Sequence, residues 1–272
     1  MIVEAGAFER AARAHEGEGR GCEDAARAFG FEQGGFAALS DGCSGGQESG
    51  LAAKALVLAA SRAARESLPD PGSEPGFERW ARQAQKAAGQ ALNLCGLPSE
   101  GSPATLLLAW VDATTGLARW ACWGDGVVAL ARGGSLVGAW EGQSDLNMPA
   151  YPLYAFDDEL WERFEDCGGS SAWRPLPGSQ AGPLEMERAG RSWSGSAQLE
   201  EGDALILASD GVSAVDGVEP VDVLGALALA KGPGRFMERR AARALEGWIK
   251  SGCALGDDFG VAALRWGRRG DE

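Results

Sequence analysis

Aspartates close several apolar runs of this chain in a way that could hold a metal ion. Three runs end alike, in Leu39-Ser40-Asp41-Gly42, Trp123-Gly124-Asp125-Gly126 and Ser209-Asp210-Gly211. Two acidic pairs, Glu23-Asp24 and Asp257-Asp258, stand just before further runs. If the fold gathers these spots at one end, a cluster of carboxylates results. Such a cluster suits a hard divalent cation, Mg2+ or Mn2+, which keeps several waters and needs few protein ligands. The glycine after each aspartate lets the backbone turn sharply or come close to an ion. The competing reading is structural: Asp-Gly is a common hairpin turn, and acidic pairs near chain ends usually face water. Spacing alone leaves the metal site and the set of turns evenly balanced.

The remaining composition narrows the chemistry. The only histidine is His15, and the six cysteines stand singly with no CxxC pair. Zinc sites built on several histidines are excluded, and at most one histidine acid or base remains. His15 itself reads as a loop or core residue. Reduced thiols are the expectation for a chain of this size. A net charge of −14 and a pI near 4.6 argue against a nucleic-acid partner, because a polyanion binder carries a basic patch. No apolar run approaches the ~20 residues that span a bilayer, and Met1 to Arg10 lacks the features of a signal peptide. The expectation is therefore a cytoplasmic protein without a membrane partner.

The 272 residues are 45% apolar, enough for one sizeable core. Phe36 to Leu39 reads as a buried strand. Ser49 to Leu68 turns helical, with Leu51, Ala55, Leu58 and Ala59 on one face. A loop over 69–76 leads to a second helix from Phe77 to about Leu94. Thr105 to Val111, Leu117 to Trp123, Val127 to Ala131 and Leu136 to Trp140 are strands whose short spacings predict an antiparallel meander. Residues 141–198, rich in Pro and Gly, read as an irregular surface insertion or flap with a short helix near Asp158 to Phe164. Ala204 to Ala208 is a buried strand, helices are expected near Val221 to Ala230 and Arg235 to Lys250, and a last strand runs from Phe259 to Trp266. The pattern predicts a single domain over 1–272, an α+β sandwich of sheets with helices packed outside.

At these same residues the sequence resembles the type 2C, metal-dependent (PPM) protein phosphatases, over about residues 15 to 266. Cys22-Glu23-Asp24-Ala25 is similar to the family's opening Asn-Glu-Asp motif. Phe36 to Gly46 resembles its strand followed by Asp-Gly-x-Gly-Gly, and Ala104-Thr105-Leu106 its Gly-Thr-Thr-Ala segment. Trp123-Gly124-Asp125-Gly126 stands at the Gly-Asp-Ser position, and Leu205 to Val212 resembles Leu-Leu-Cys-Ser-Asp-Gly. Gly256 to Val261 stands where the family has Asp-Asn-x-Thr. Asn147-Met148-Pro149-Ala150-Tyr151 is similar to a segment of a bacterial subgroup. Each motif is weak alone, and six in order are strong.

The resemblance implies two packed antiparallel β-sheets flanked by helices on both sides, and a centre of two Mg2+ or Mn2+ ions. Asp41 would bridge both ions and Gly42 would offer its carbonyl. Glu23 and Asp24 would serve one ion, Asp210 and Asp257 the other, and Asp125 a third, looser ion. The implied activity is hydrolysis of phosphoserine or phosphothreonine by a metal-activated water, without a phosphoenzyme. The implied partner is a phosphorylated protein, with the phosphatase acting opposite a Ser/Thr kinase. Some positions depart from the family. Its phosphate-clamping arginine falls on Gly19, with Arg20 one residue later as the substitute or as a solvated loop charge. Cys43 stands where some relatives carry histidine, Val127 where an arginine is usual, and Gly260 where the family has threonine; the last two read as packing changes. Two other readings stay open: a phosphatase-fold module of weak or no turnover that binds a phosphorylated partner, and a different Mg2+-dependent phosphoryl-transfer enzyme on an unrelated fold.

Overall fold

The structure, a computed structural model, describes residues 1–19, 21–46, 48–66, 74–97, 103–144, 148–180, 182–228 and 236–268. Arg20, Asn147 and the expected helix ends at 67–68, 229–230 and 235 lie outside the described residues.

Two six-stranded sheets, antiparallel throughout, pack face to face. The first holds β1 (Ile2–Arg10), β12 (Phe259–Gly267), β11 (Ala204–Ala208), β6 (Gly126–Arg132), β7 (Ser135–Gln143) and β8 (Ala172–Pro175), in that order. The second holds β2 (Ala25–Gly30), β3 (Gly34–Ser40), β4 (Leu106–Asp112), β5 (Leu117–Trp123), β10 (Ser192–Gln198) and β9 (Glu185–Ala189). Between the sheets lie Ala37, Leu39, Leu107, Leu130, Leu205, Leu207 and Leu264.

The alternate residues of the same strands face outward and are covered by helices. On the second sheet, Phe36, Ala38, Leu106, Leu108 and Trp110 meet α2 (Ser49–Glu66) and α3 (Glu74–Leu94), with Trp80 at the centre of the layer. On the first, Val127, Ala129, Ile206, Val261 and Ala263 meet α6 (Pro220–Ala228) and α7 (Phe236–Lys250). Strands buried on both faces carry unbroken apolar runs rather than alternation. That is why Thr105 to Val111, observed as β4 from Leu106, and Ala204 to Ala208 read as strands from sequence alone. The described residues also form three short α-helices: α1 (Arg13–Gly17), α4 (Pro152–Ala155) and α5 (Asp158–Asp166).

The structure differs from the sequence expectation in two places along the middle of the chain, besides β1, which the sequence reading passed over. Residues 105–140 form two hairpins in different sheets rather than one meander, since β4 pairs with β5 in the second sheet and β6 with β7 in the first. The chain changes sheet at Gly124-Asp125-Gly126, where both glycines adopt left-handed φ (97° and 124°). A Cβ at Gly126 would stand 2.9 Å from the Ala208 carbonyl oxygen. Residues 141–198 are the second place. Far from being irregular throughout, they supply β8, β9 and β10, of which β8 and β9 each form one edge of a sheet.

Candidate metal centre

Antiparallel pairing sets the start of each strand beside the end of its neighbour. Ala25, opening β2, faces Ser40, closing β3. In the other sheet, Ala208 at the end of β11 faces both Val127, near the start of β6, and Val261, near the start of β12. One end of the sandwich therefore collects Glu23-Asp24, Asp41, Asp125, Asp210 and Asp257-Asp258.

Each of these turns is held by specific contacts. Asp41 donates its N–H to Thr105 Oγ1 at 2.9 Å, and its carbonyl accepts the Thr105 N–H at 2.8 Å. Ser40 Oγ donates to the Thr105 carbonyl. Gly42 lies so close to α2 and the first motif that a Cβ would meet Ser49 C at 2.8 Å and the Glu23 carbonyl oxygen at 3.0 Å. Beyond β11, Ser209 and Gly260 exchange backbone and side-chain hydrogen bonds of 2.9–3.0 Å. The chain then makes a single 3₁₀ turn, Asp210–Ser213. A Cβ on Gly211 would be only 1.8 Å from the Asp258 carbonyl oxygen, so only glycine fits there.

The electrostatics are those of carboxylates crowded together. Asp24 is fully buried, and neither of its oxygens has a hydrogen-bond partner of ordinary geometry. Burial pushes its carboxyl well above the usual range, partly offset by the nearby Ser209 hydroxyl and Asp41, while Asp258 and Asp210 push it further up. Asp41 is raised by burial and then by the charges of Asp24 and Asp210. Asp125 is raised by burial and by Asp210, to about 7. Asp210 stands at the solvent edge, yet packing around its carboxyl and the charges of Asp257 and Glu141 raise it too. Unpaired buried carboxylates are costly, and a divalent cation is the counter-charge that removes such a cost. The donor set, all oxygen, fits Mg2+ or Mn2+.

Asp24, Asp41, Asp125 and Asp210 thus come together, with Asp257 at their edge and Glu23 beside Gly50, whose added Cβ would lie 3.0 Å from Glu23 Cα. Arg20 falls outside the described residues. Val127 is fully buried under the outer helices, a position with no room for a solvated arginine. Gly260 leaves space for Asp24: a Cβ there would stand 2.8 Å from Asp24 Oδ2. Sequence reasoning missed three neighbours. Glu141 in β7 acts on both Asp125 and Asp210. Tyr151, raised mainly by burial, lies near Cys43, Asp125 and Asp41. Lys54 donates Nζ to the Cys22 carbonyl at 3.0 Å, beside the first motif. Lys54 carries a signal in its helical spacing, one turn beyond Ser49-Gly50; Glu141 carries none.

A helix-covered double sheet with carboxylates at one end defines a class of fold, and solved structures share it. The crystal structure of the Mycobacterium tuberculosis serine/threonine phosphatase PstP/Ppp aligns with a TM-score of 0.60 at 19% identity, covering 98% of this chain and 100% of that one. The catalytic domain of the phosphatase PstP in complex with two manganese ions aligns at 0.56 and 20% identity, covering 97% and 98%. An S. agalactiae serine/threonine phosphatase aligns at 0.57 and 15% identity, covering 97% and 99%. No functionally curated protein matches the sequence. The family described as Protein phosphatase 2C matches residues 11–246, and the chain belongs to that family.

Proposed function

We propose that this protein is a Mg2+- or Mn2+-dependent protein serine/threonine phosphatase, hydrolysing phosphoserine or phosphothreonine esters with water. The observation that carries this reading is Asp24, a fully buried carboxylate with both oxygens unpartnered, set among Asp41, Asp125 and Asp210. Glu23, Asp24, Asp41, the Gly42 carbonyl, Asp210 and Asp257 would hold two ions, and Asp125 a third. Bound there, divalent cations would supply charge to screen the phosphate and to lower the pKa of a water.

The chain's own residues orient this set. Thr105 fixes Asp41 through paired backbone and side-chain hydrogen bonds. The Ser209–Gly260 exchange fixes the turn that carries Asp210. Arg20, one residue beyond the family's clamp position, would bind the phosphate through its planar fork. The protein partner would be a phosphorylated substrate of a Ser/Thr kinase. The module that binds without turnover is disfavoured, because every proposed carboxylate ligand is present.

The test is hydrolysis of p-nitrophenyl phosphate after chelation. Mn2+ or Mg2+ should restore the activity and Zn2+ should restore it poorly, because the ligands are oxygens. Full activity in excess EDTA would overturn the reading.

A further inference from the structure

Asp258 departs from the family pattern, which places asparagine after the aspartate of the final motif. Its side chain is 3% exposed and accepts three hydrogen bonds, each from the distant N-terminal segment. Oδ1 accepts the Ala12 N–H at 2.6 Å and His15 Nδ1 at 2.9 Å, and Oδ2 accepts the Glu23 N–H at 2.5 Å. Because a carboxylate only accepts, the histidine proton is assigned to Nδ1. The backbone of Asp258 is gripped as well. Its N–H donates to Asp257 Oδ1 at 2.8 Å, and its carbonyl packs on Gly211, next to Asp210. Ligand atoms of His15, Glu23 and Asp258 lie within 4.8 Å of one another, a spacing a cation could span. Both oxygens of Asp258 are already committed to N–H donors, however, so the group is a hydrogen-bonded clasp.

We propose that Asp258, with His15, is a positioning pair that sets Glu23 and Asp24 against the metal centre. This inference rests on the phosphatase reading above. One side of the clasp is continuous with Asp257 and abuts Asp210; the other is the backbone of Glu23, one residue before Asp24. It therefore joins the ligands of one sheet to those of the other. Asparagine cannot replace the aspartate here. Its single acceptor oxygen leaves the amide N–H2 facing one of the three donors, and a buried donor without an acceptor is costly. His15 completes the clasp and does not touch the reacting atoms.

The test is Mn2+ binding by calorimetry, with thermal unfolding measured in parallel, on wild type, Asp258→Asn, His15→Ala and His15→Asn. Disturbing partners behind metal ligands typically weakens metal binding about 10–100-fold, and Asp258→Asn should fall in that range. His15→Ala should weaken binding by roughly threefold or more on the same grounds. His15→Asn, whose amide can imitate the Nδ1–H donor, should stay within about twofold of wild type. If Asp258→Asn does not fold, the comparison of His15→Ala with His15→Asn decides. Variants that fold less stably but bind Mn2+ like wild type make the clasp merely structural and overturn the proposal. Wild type that binds no Mn2+ overturns the metal reading itself, an outcome separate from the failure of the clasp.

Discussion

Stripped of divalent cations, the protein should become more stable as the pH is lowered from about 8 to about 5.5. Asp125 carries the clearest contribution, since its carboxyl titrates at about 7 in the fold against an ordinary 3.8. A carboxyl raised on folding gives stability that is complete below the unfolded pKa and lost as the pH rises through the folded one. Across that window the folded chain holds a proton that the unfolded chain has released. Integrating over it gives about 2 kcal/mol from Asp125 alone. At roughly 2–4 °C per kcal/mol for a chain of this size, Tm should rise by about 4–8 °C on acidification. Asp24, Asp41 and Asp210 are shifted in the same direction and add to the trend. The general relief of a net charge of −14 adds as well, so Asp125→Asn isolates the site: its metal-free pH dependence should be smaller by about 2 kcal/mol. Tryptophan fluorescence during heating in EDTA reads the transition. With saturating Mn2+ the trend should invert, because ion binding requires the ionised carboxylates and strengthens with pH. A metal-free Tm that is flat or climbs from pH 5.5 to 8, or an Asp125→Asn slope equal to that of wild type, would rule out a raised carboxyl at Asp125.

Three further outcomes follow from particular contacts. Gly260→Thr, which restores the family's usual residue, should nevertheless destabilise the fold by about 1–3 kcal/mol. It should also weaken Mn2+ binding, because its Cβ would stand 2.8 Å from Asp24 Oδ2; urea unfolding and calorimetry read the two effects. Arg132→Ala leaves the fully buried Asp203 without its forked guanidinium partner, and should cost about 2 kcal/mol in urea unfolding with Mn2+ affinity unchanged. Arg20→Ala should raise KM for a phosphopeptide by about tenfold or more, the loss of one charge-assisted contact, without changing metal affinity. A shift in KM below twofold would make Arg20 a solvated loop residue.

How much of this was legible in the sequence depended on burial. Ala204 to Ala208 read correctly because a strand covered on both faces is an unbroken apolar run, and Leu117 to Trp123 because only Arg119 interrupts its apolar residues. The strands at and beside the sheet edges escaped. Glu185–Ala189 and Ser192–Gln198 are largely polar, and only the pairing of β10 with β5 and of β9 with β10 gives them a place. Ile2–Arg10 was passed over for the same reason, its partner β12 lying at the far end of the chain. The meander was misread because hairpin spacing says that two strands pair, not which sheet they join; the left-handed glycines at 124 and 126 decide that. In the site, Asp41, Asp125 and Asp210 were legible because Asp-Gly turns at strand ends mark them, and Asp24 because an acidic pair stands before a strand. Asp258 was not, since its role depends on Ala12, 246 residues away. Glu141 sits mid-strand with no motif around it.

Whether the carboxylate cluster is a cation-dependent phosphatase centre with Asp41 at its heart is decided by phosphate release from a phosphothreonyl peptide, measured for wild type and Asp41→Asn at the same Mn2+ concentration with an EDTA control. Asp41→Asn is nearly isosteric, so the fold should survive while one charge is withdrawn from the centre. Wild type should release phosphate only with Mn2+, and the variant should lose on the order of 10²-fold or more. Near-normal release by Asp41→Asn, or release undiminished by EDTA, would contradict it and leave the acidic strand ends as ordinary turns.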